Sequence, residues 1–233
     1  MARPGRTVCV VGLLAMVSCT PDAINAEGRD IANLYNIFSV IAIVVFVVTA
    51  GLIAWSIIRY RARPGDDELP AQWHKNVPLE IVWFAIPQVI VVVLFILSVQ
   101  TLDRVDDPRG GSLDVTVEGF QWGWRFTYEQ SGVVVEGDSS SPPEMVLPVG
   151  EQITFSLASD DVVHSFYVPR FLFKRDVIPG RINQLRATLD EEGTYQGECA
   201  EFCGLLHANM DFRVRAVSAA EFDRWLQEQA ANS

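Results

Sequence analysis

The segment C-A-E-F-C-G-L-L-H-A-N-M, Cys199 to Met210, holds two cysteines four residues apart, a histidine four further on and a methionine three beyond that. Thiolate and thioether are soft donors and imidazole is borderline, a set far better suited to copper than to calcium, magnesium or manganese, which take oxygen. Only three histidines exist, His74, His164 and His207. A metal site built on this segment draws its further ligand from His164, in D-D-V-V-H-S-F-Y-V-P at the end of a predicted strand, because His74 falls in a separate, basic loop. Taken alone, His164 reads better as a core or turn histidine bonded to the backbone, and it is the Cys199–Met210 segment that tips the balance toward a ligand. A disulfide between Cys199 and Cys203 is the competing account of the thiols in an oxidising compartment. A bridge across so few residues contributes little stability, and it leaves His207 and Met210 unexplained.

An upstream histidine followed by Cys, His and Met in one late loop is the ligand order of a mononuclear blue copper site, with two His, one Cys and a weak axial Met. This chain has one cysteine more than that site needs. Two thiolates can bridge two coppers, so the surplus points to a dinuclear centre with one histidine for each metal, His164 and His207. Met210 then serves as a weak ligand to one copper and the Glu201 carbonyl to the other. Structural zinc on two Cys and two His is allowed by ligand count, but gives Met210 nothing to do.

The elements that position these residues include two uncharged apolar runs, 37–58 and 81–102. At about 1.5 Å of rise per residue each is long enough for the roughly 30 Å hydrocarbon core of a bilayer. Residues 1–19 read as a signal peptide, with Arg3 and Arg6, a short apolar run, and Ser18-Cys19 where a bacterial lipoprotein would be processed. Residues 20–36 follow as an N-terminal segment outside the cell. The connecting loop, 59–80, carries Arg59, Arg61, Arg63 and Lys75, which assigns it to the cytoplasm and both chain ends to the exterior.

From Asp103 onward there are 22 Asp and Glu against 11 Lys and Arg, whereas the first 102 residues hold 7 of each. The whole net charge of −11 therefore sits in the exterior domain. Such acidity argues against nucleic acid and for a basic protein partner steered by long-range attraction, although it also serves simple solubility. The pattern there changes to short alternating segments separated by Gly and Pro, from L-D-V-T-V-E-G-F-Q-W-G-W-R-F-T-Y-E to M-D-F-R-V-R-A-V. That predicts an all-β sandwich or barrel over 103–217. A C-terminal helix is predicted over 218–233, opened by a capping box of Ser218 and Glu221.

C-A-E-F-C-G-L-L-H-A-N-M with His164 upstream, two spans and an acidic β-domain resembles cytochrome c oxidase subunit II and its dinuclear copper A centre, over nearly the whole chain after the signal. The resemblance implies a helical hairpin followed by a cupredoxin-like Greek-key domain, in a bacterial plasma membrane with its β-domain outside. It implies copper A ligands His164, Cys199, Glu201 through its main chain, Cys203, His207 and Met210. It further implies that electrons enter from cytochrome c at Trp122 in F-Q-W-G-W-R-F-T-Y and pass to haem in subunit I, where oxygen is reduced. Glu80, three residues ahead of Trp83, takes the place of a proton-path entrance. The Glu201 side chain resembles one that reaches magnesium at the boundary with subunit I, near which Asp176 and Arg181 would also lie. Trp122 and Trp124, two apart on one strand face, also fit ordinary core packing, which is the reading preferred for Trp124.

No C-x-x-C-H haem attachment motif is present, so haem and oxygen chemistry fall to the partner and this chain carries electron transfer alone. A membrane-anchored copper carrier of the thioredoxin-like kind also uses C-x-x-x-C with a distant histidine. Its cysteines come early and its strands alternate with helices, whereas here they come late in a β-rich pattern.

Overall fold

The computed structural model describes residues 22–61, 65, 71–72, 74–106 and 111–232. The segment read as a signal, with Cys9 and Cys19, lies outside the described residues, as does Arg63. The described residues form two units: one comprises Asn33–Thr101, and the other joins residues 22–32 to the chain from Leu102 onward.

Two helices, α1 (Ala26–Arg59) and α2 (Val77–Val105), contain the two uncharged runs. Both are long and apolar enough to cross a membrane, and none of their apolar stretch is buried within the chain. Side chains such as Phe46, Ile58, Phe84 and Phe95 are exposed around the helix surfaces, an arrangement that suits lipid and not water. At the start of α2, Asn76 Oδ1 accepts from the Leu79 N–H at 3.3 Å, and Glu80 Oε1 accepts from the Asn76 N–H at 3.2 Å. Glu80 therefore helps to cap the helix, satisfying a main-chain donor that the helix itself leaves free.

The second unit is a sandwich of two five-stranded sheets. The strands are β1 (Leu113–Phe120), β2 (Gly123–Tyr128), β3 (Val133–Asp138), β4 (Glu144–Pro148), β5 (Gln152–Ser159), β6 (His164–Val168), β7 (Phe173–Val177), β8 (Asn183–Thr188), β9 (Gly193–Cys199) and β10 (Asp211–Val217). One sheet runs β3-β2-β1-β5-β8 and the other β4-β10-β9-β6-β7. The pairs β1–β5 and β4–β10 are parallel and the rest antiparallel. Burial alternates along β1, with Leu113, Val115 and Val117 facing inward, as a half-buried strand requires.

The core is strongly aromatic. Phe166 stacks on Phe212 with ring centroids 4.8 Å apart, and Trp124 meets Phe212 at 5.3 Å and Phe166 at 6.0 Å. Phe212 pairs across the ladder with Gly197 of β9. A Cβ at that glycine would lie 2.2 Å from two atoms of the Phe212 ring. Gly197→Ala is therefore expected to push Phe212 out of its stack and destabilise the domain by about 1–3 kcal/mol, the usual cost of overpacking. Thermal unfolding of the full chain in detergent measures this, and an unchanged midpoint would show that the ring can move freely.

The long alternating segment from Leu113 is not one strand but a hairpin, β1 and β2, joined at Gln121–Trp122. Trp122 and Trp124 consequently do not share a strand face: Trp122 sits in the turn, and Trp124 is fully buried in β2. Strand β7, F-K-R-D-V, is not signalled by the sequence pattern, because Lys174, Arg175 and Asp176 interrupt it. It is an edge strand paired only to β6, and edges are where charged residues are tolerated and useful.

The C-terminal helix, α3 (Ala219–Asn232), packs Phe222 and Trp225 against Tyr128. Ser218 Oγ accepts from the Glu221 N–H at 3.3 Å, but the Glu221 carboxylate accepts from Arg215 at 2.8 Å, so only half of the expected capping box forms. Residues 22–30 are also part of this unit. Ile24 is fully buried, its N–H donates to Arg170 O at 3.1 Å, and its carbonyl accepts from Asp190 at 2.9 Å. Glu27 Oε2 accepts from the Thr188 N–H at 3.1 Å. Nothing in the polar run around these residues marks them in sequence as a piece of the β-domain.

Candidate metal centre

His164 opens β6 and Cys199 closes the neighbouring β9, so the sheet ladder brings them to one end of the sandwich. The loop from Cys199 to Met210 is drawn shut by the Cys199 N–H donating to Met210 O at 3.1 Å. The indole Nε1 of Trp124 donates to the same carbonyl at 3.2 Å. Ala200 is held at both main-chain groups: its N–H donates to Ser165 O at 3.0 Å, and its carbonyl accepts from Lys174 Nζ at 3.0 Å. Gly204 turns the loop with φ +123, a conformation disfavoured for residues with a side chain. A short 3-10 turn, His207–Asn209, then returns the chain to β10.

The outcome is a compact set of donors. Cys199 Sγ and Cys203 Sγ are 3.8 Å apart, and both thiols are free; a disulfide needs about 2.05 Å. Cys199 Sγ lies 3.9 Å from His164 Nδ1 and 3.2 Å from Glu201 O. Cys203 Sγ lies 3.6 Å from His207 Nδ1 and 3.7 Å from Met210 Sδ. His164, Cys199 and Cys203 place their ligand atoms within 4.8 Å of one another. His164, Cys199, Cys203 and Met210 are buried, whereas His207 is half-buried toward the surface. Two sulfurs in the middle, an imidazole beside each, a thioether and a carbonyl form a soft donor set with the chemistry to hold copper.

The two thiols differ electrostatically. Burial disfavours the Cys199 thiolate, but the His164 imidazole, the Glu201 and Ser165 main chain and His207 outweigh it and draw the thiol down to about 7. Burial and the negative charge of Cys199 push Cys203 up to about 12. Burial also opposes charge on His164, yet its contacts with Cys199 and Asp161 raise its pKa overall. Without metal, therefore, Cys199 is the first thiolate available.

Two residues that the sequence did not single out support this set. Asp161 Oδ1 accepts from His164 Nε2 at 2.9 Å, which leaves Nδ1 directed at the thiol. Asp161 Oδ2 accepts from the Gln121 N–H at 2.7 Å, and Gln121 Nε2 donates to Cys203 O at 2.8 Å. The spacing D-x-x-H was the available signal for Asp161, since metal-binding histidines commonly donate their second nitrogen to a carboxylate.

The other residues singled out in sequence lie apart from the donors or only brush them. Trp122 is partly buried against the core, beside Gly204. The Glu201 carboxylate points away, half-exposed, 3.9 Å from Lys174 Nζ. Asp176 lies on β7, where its carbonyl accepts from Asn183 at 2.7 Å, and Arg181 is exposed in the following turn. Glu80 belongs to the helical unit, where it lines a cavity of about 330 Å³ with His74, Lys75, Asn76 and Trp83.

A two-sheet sandwich with Cys, His and Met gathered between neighbouring strands, on a chain with two membrane-length apolar helices, defines a membrane-anchored, cupredoxin-like protein with a candidate copper centre. A family model described as the periplasmic domain of cytochrome c oxidase subunit II matches residues 140–217, and one for its transmembrane domain matches residues 14–101. The chain belongs to the cytochrome c oxidase subunit II family.

Cytochrome c oxidase subunit 2 of Alkalihalophilus pseudofirmus is 37% identical over 97% of this chain and 66% of its own length. A probable cytochrome c oxidase subunit 2 of Nocardia farcinica is 31% identical over 91% of this chain and 74% of its own. Among solved structures, the periplasmic domain of subunit II of cytochrome oxidase from Bradyrhizobium japonicum matches with a TM-score of 0.50 and 30% identity. It covers 52% of this chain and 96% of that one.

Proposed function

We propose that this chain is the electron-entry subunit of a cytochrome c oxidase, taking electrons from cytochrome c at Trp122 and passing them through a dinuclear copper A centre to haem in subunit I. The observation that carries this is the doubled donor set: two free thiols 3.8 Å apart, each with its own imidazole within 3.9 Å. A mononuclear site has no use for the second thiol, and structural zinc has none for the buried thioether of Met210. The ligands proposed are His164, Cys199, the Glu201 carbonyl, Cys203, His207 and Met210.

When bound, the copper pair would supply a one-electron relay whose charge change is shared over two metals and two sulfurs. The chain's part is to hold the donors still. Strands β6 and β9 fix His164 and Cys199, and the main-chain bonds at Ala200 and Met210 fix the loop. Buried thiols and an aromatic floor of Trp124, Phe166 and Phe212 keep water from the sulfur side.

The acidic exterior suits a basic donor protein, and the basic residues Arg59, Arg61 and Lys75 support a cytoplasmic loop with the β-domain outside. Glu80, at the helix start in a cavity with His74 and Trp83, is proposed as a proton-path entrance into subunit I. The exposed Glu201 carboxylate is proposed to reach a magnesium ion, for which one carboxylate is too few ligands and subunit I must supply others. A thioredoxin-like copper carrier is disfavoured by the sandwich, which has no alternation of strands and helices among the described residues.

The test is copper loading of the full chain in detergent. Two coppers per chain, with one unpaired electron shared equally by both nuclei in electron paramagnetic resonance, are expected. Met210→Leu should keep both coppers and shift the reduction potential, since a weak thioether ligand would tune the copper it holds. A single copper with an ordinary mononuclear signal, or silent Cu(I) alone, would move the assignment to a carrier.

A further inference from the structure

We propose that Gln121 is a positioning residue: it clamps the Trp122 turn to both halves of the metal centre and so sets the contact through which electrons enter. This rests on the copper A reading above. The turn Gln121–Trp122 joins β1 to β2, on a different sheet from the strands that carry His164 and Cys199. Two residues further on, the Trp124 indole ties β2 to Met210 O at 3.2 Å, but the turn itself needs a tie of its own to be fixed against the Cys203 end of the ligand loop.

Gln121 makes two such ties, each to a segment remote in sequence. Its N–H donates to Asp161 Oδ2 at 2.7 Å, and the other oxygen of that carboxylate accepts from His164 Nε2 at 2.9 Å. Its side-chain Nε2 donates to Cys203 O at 2.8 Å, on the ligand loop itself. One residue is thus bonded through a carboxylate to the first imidazole and directly to the main chain of the second thiol.

Trp122 packs against the core, but its indole has no polar anchor of its own and so depends on this arrangement for its register against the ligand loop. Its indole Nε1 is buried and has no hydrogen-bond partner. The ring rests on Gly204: a Cβ there would lie 3.3 Å from Trp122 Cζ2, 3.4 Å from Trp122 Nε1 and 3.2 Å from Gln121 Nε2. The glycine therefore seats the indole and the amide together. The Trp122 carbonyl accepts from the Ser139 N–H at 2.8 Å, which ties the turn to the chain beyond β3 but not to the metal loop. With the indole unpartnered, the bonds that register the ring against Cys203 and Gly204 are those of Gln121.

The discriminating variant is Gln121→Met, which keeps length and volume and the main-chain bond to Asp161 but removes the donor to Cys203 O. Two readouts are needed. Hydrogen exchange on the metal-free full chain in detergent should show amides of residues 121–123 and 203–205 exchanging at least several-fold faster than in the native chain. In the assembled oxidase, single-turnover electron entry from reduced cytochrome c should fall about 10-fold at saturating donor, within the 10²-fold that a misplacement of about 1 Å can cost. The half-saturating donor concentration, the two coppers per chain and the shared hyperfine pattern should stay native.

Native exchange together with a native entry rate overturns the clamp. A slower entry explained wholly by weaker donor binding overturns it too, since Gln121 would then be part of the docking surface. Loss of the copper pair in the variant would make it a support of the ligand loop and not of the turn. If the native chain itself binds no copper pair, the copper A reading fails, and the exchange measurement still decides the clamp because it uses no metal.

Discussion

Replacing Cys203 with serine is expected to abolish paired copper binding and leave at most a mononuclear signal. Cys203 Sγ is the hub of the donor set, 3.8 Å from the other thiol, 3.6 Å from His207 and 3.7 Å from Met210. A serine hydroxyl stays protonated where a metal-bound thiol does not, and its oxygen is a hard donor in a site of soft ones. Cys199→Ser should fail in the same way, because Cys199 faces His164 and the Glu201 carbonyl and is the thiol most readily ionised. Loss of copper affinity on the order of 10²-fold or more is expected, since removing even an outer partner of a ligand costs about 10- to 100-fold. Metal analysis and electron paramagnetic resonance of the full chain decide the matter. Should both serine variants keep the native paired spectrum, the thiols are not the bridge and the dinuclear assignment is wrong.

The donors were legible in sequence because chemistry fixes their types and one loop fixes four of them. Cys199, Cys203, His207 and Met210 lie within twelve residues, and their spacing needs no knowledge of the fold. His164 was found by elimination, there being only three histidines. The supporting residues were not legible for the opposite reason. Gln121 reaches Cys203 across 82 positions and Asp161 across 40, contacts that exist only once two sheets are stacked. Alternation marked most strands, because each buries one face, but β7 hides its single buried Val177 behind a charged run. Ile24 was missed because one apolar residue in a polar segment has no periodicity, although its full burial makes it as much a part of the core as Phe212. The turn placement of Trp122 was missed because L-D-V-T-V-E-G-F-Q-W-G-W alternates straight through the hairpin.

Asp161→Ala is expected to lower copper affinity by about 10- to 100-fold without touching a ligand atom, the scale found when an outer partner of a metal-binding histidine is removed. His164 is fully buried, so its ring cannot turn to water for a partner. The carboxylate accepts a hydrogen bond from Nε2–H at 2.9 Å, which keeps the proton on Nε2 and leaves Nδ1 as the lone-pair nitrogen facing Cys199. Alanine removes that preference, and both tautomers become accessible. It also strands the Gln121 and Val162 N–H groups, which donate to Asp161 at 2.7 and 2.6 Å. Some loss of fold stability is therefore expected alongside the loss of affinity, at about 0.5–1.5 kcal/mol for each bond, since both donors lie near the surface where water can take the carboxylate's place. Asp161→Asn separates the two effects. Its amide oxygen can still accept from His164, so affinity should stay nearer native, while its NH₂ faces the Gln121 N–H and loosens the turn. A competitive copper titration on both variants, paired with their unfolding midpoints, reads the difference. If Asp161→Ala binds copper as tightly as the native chain, packing against Trp124, 6.2 Å from the His164 ring, must be enough to orient the imidazole.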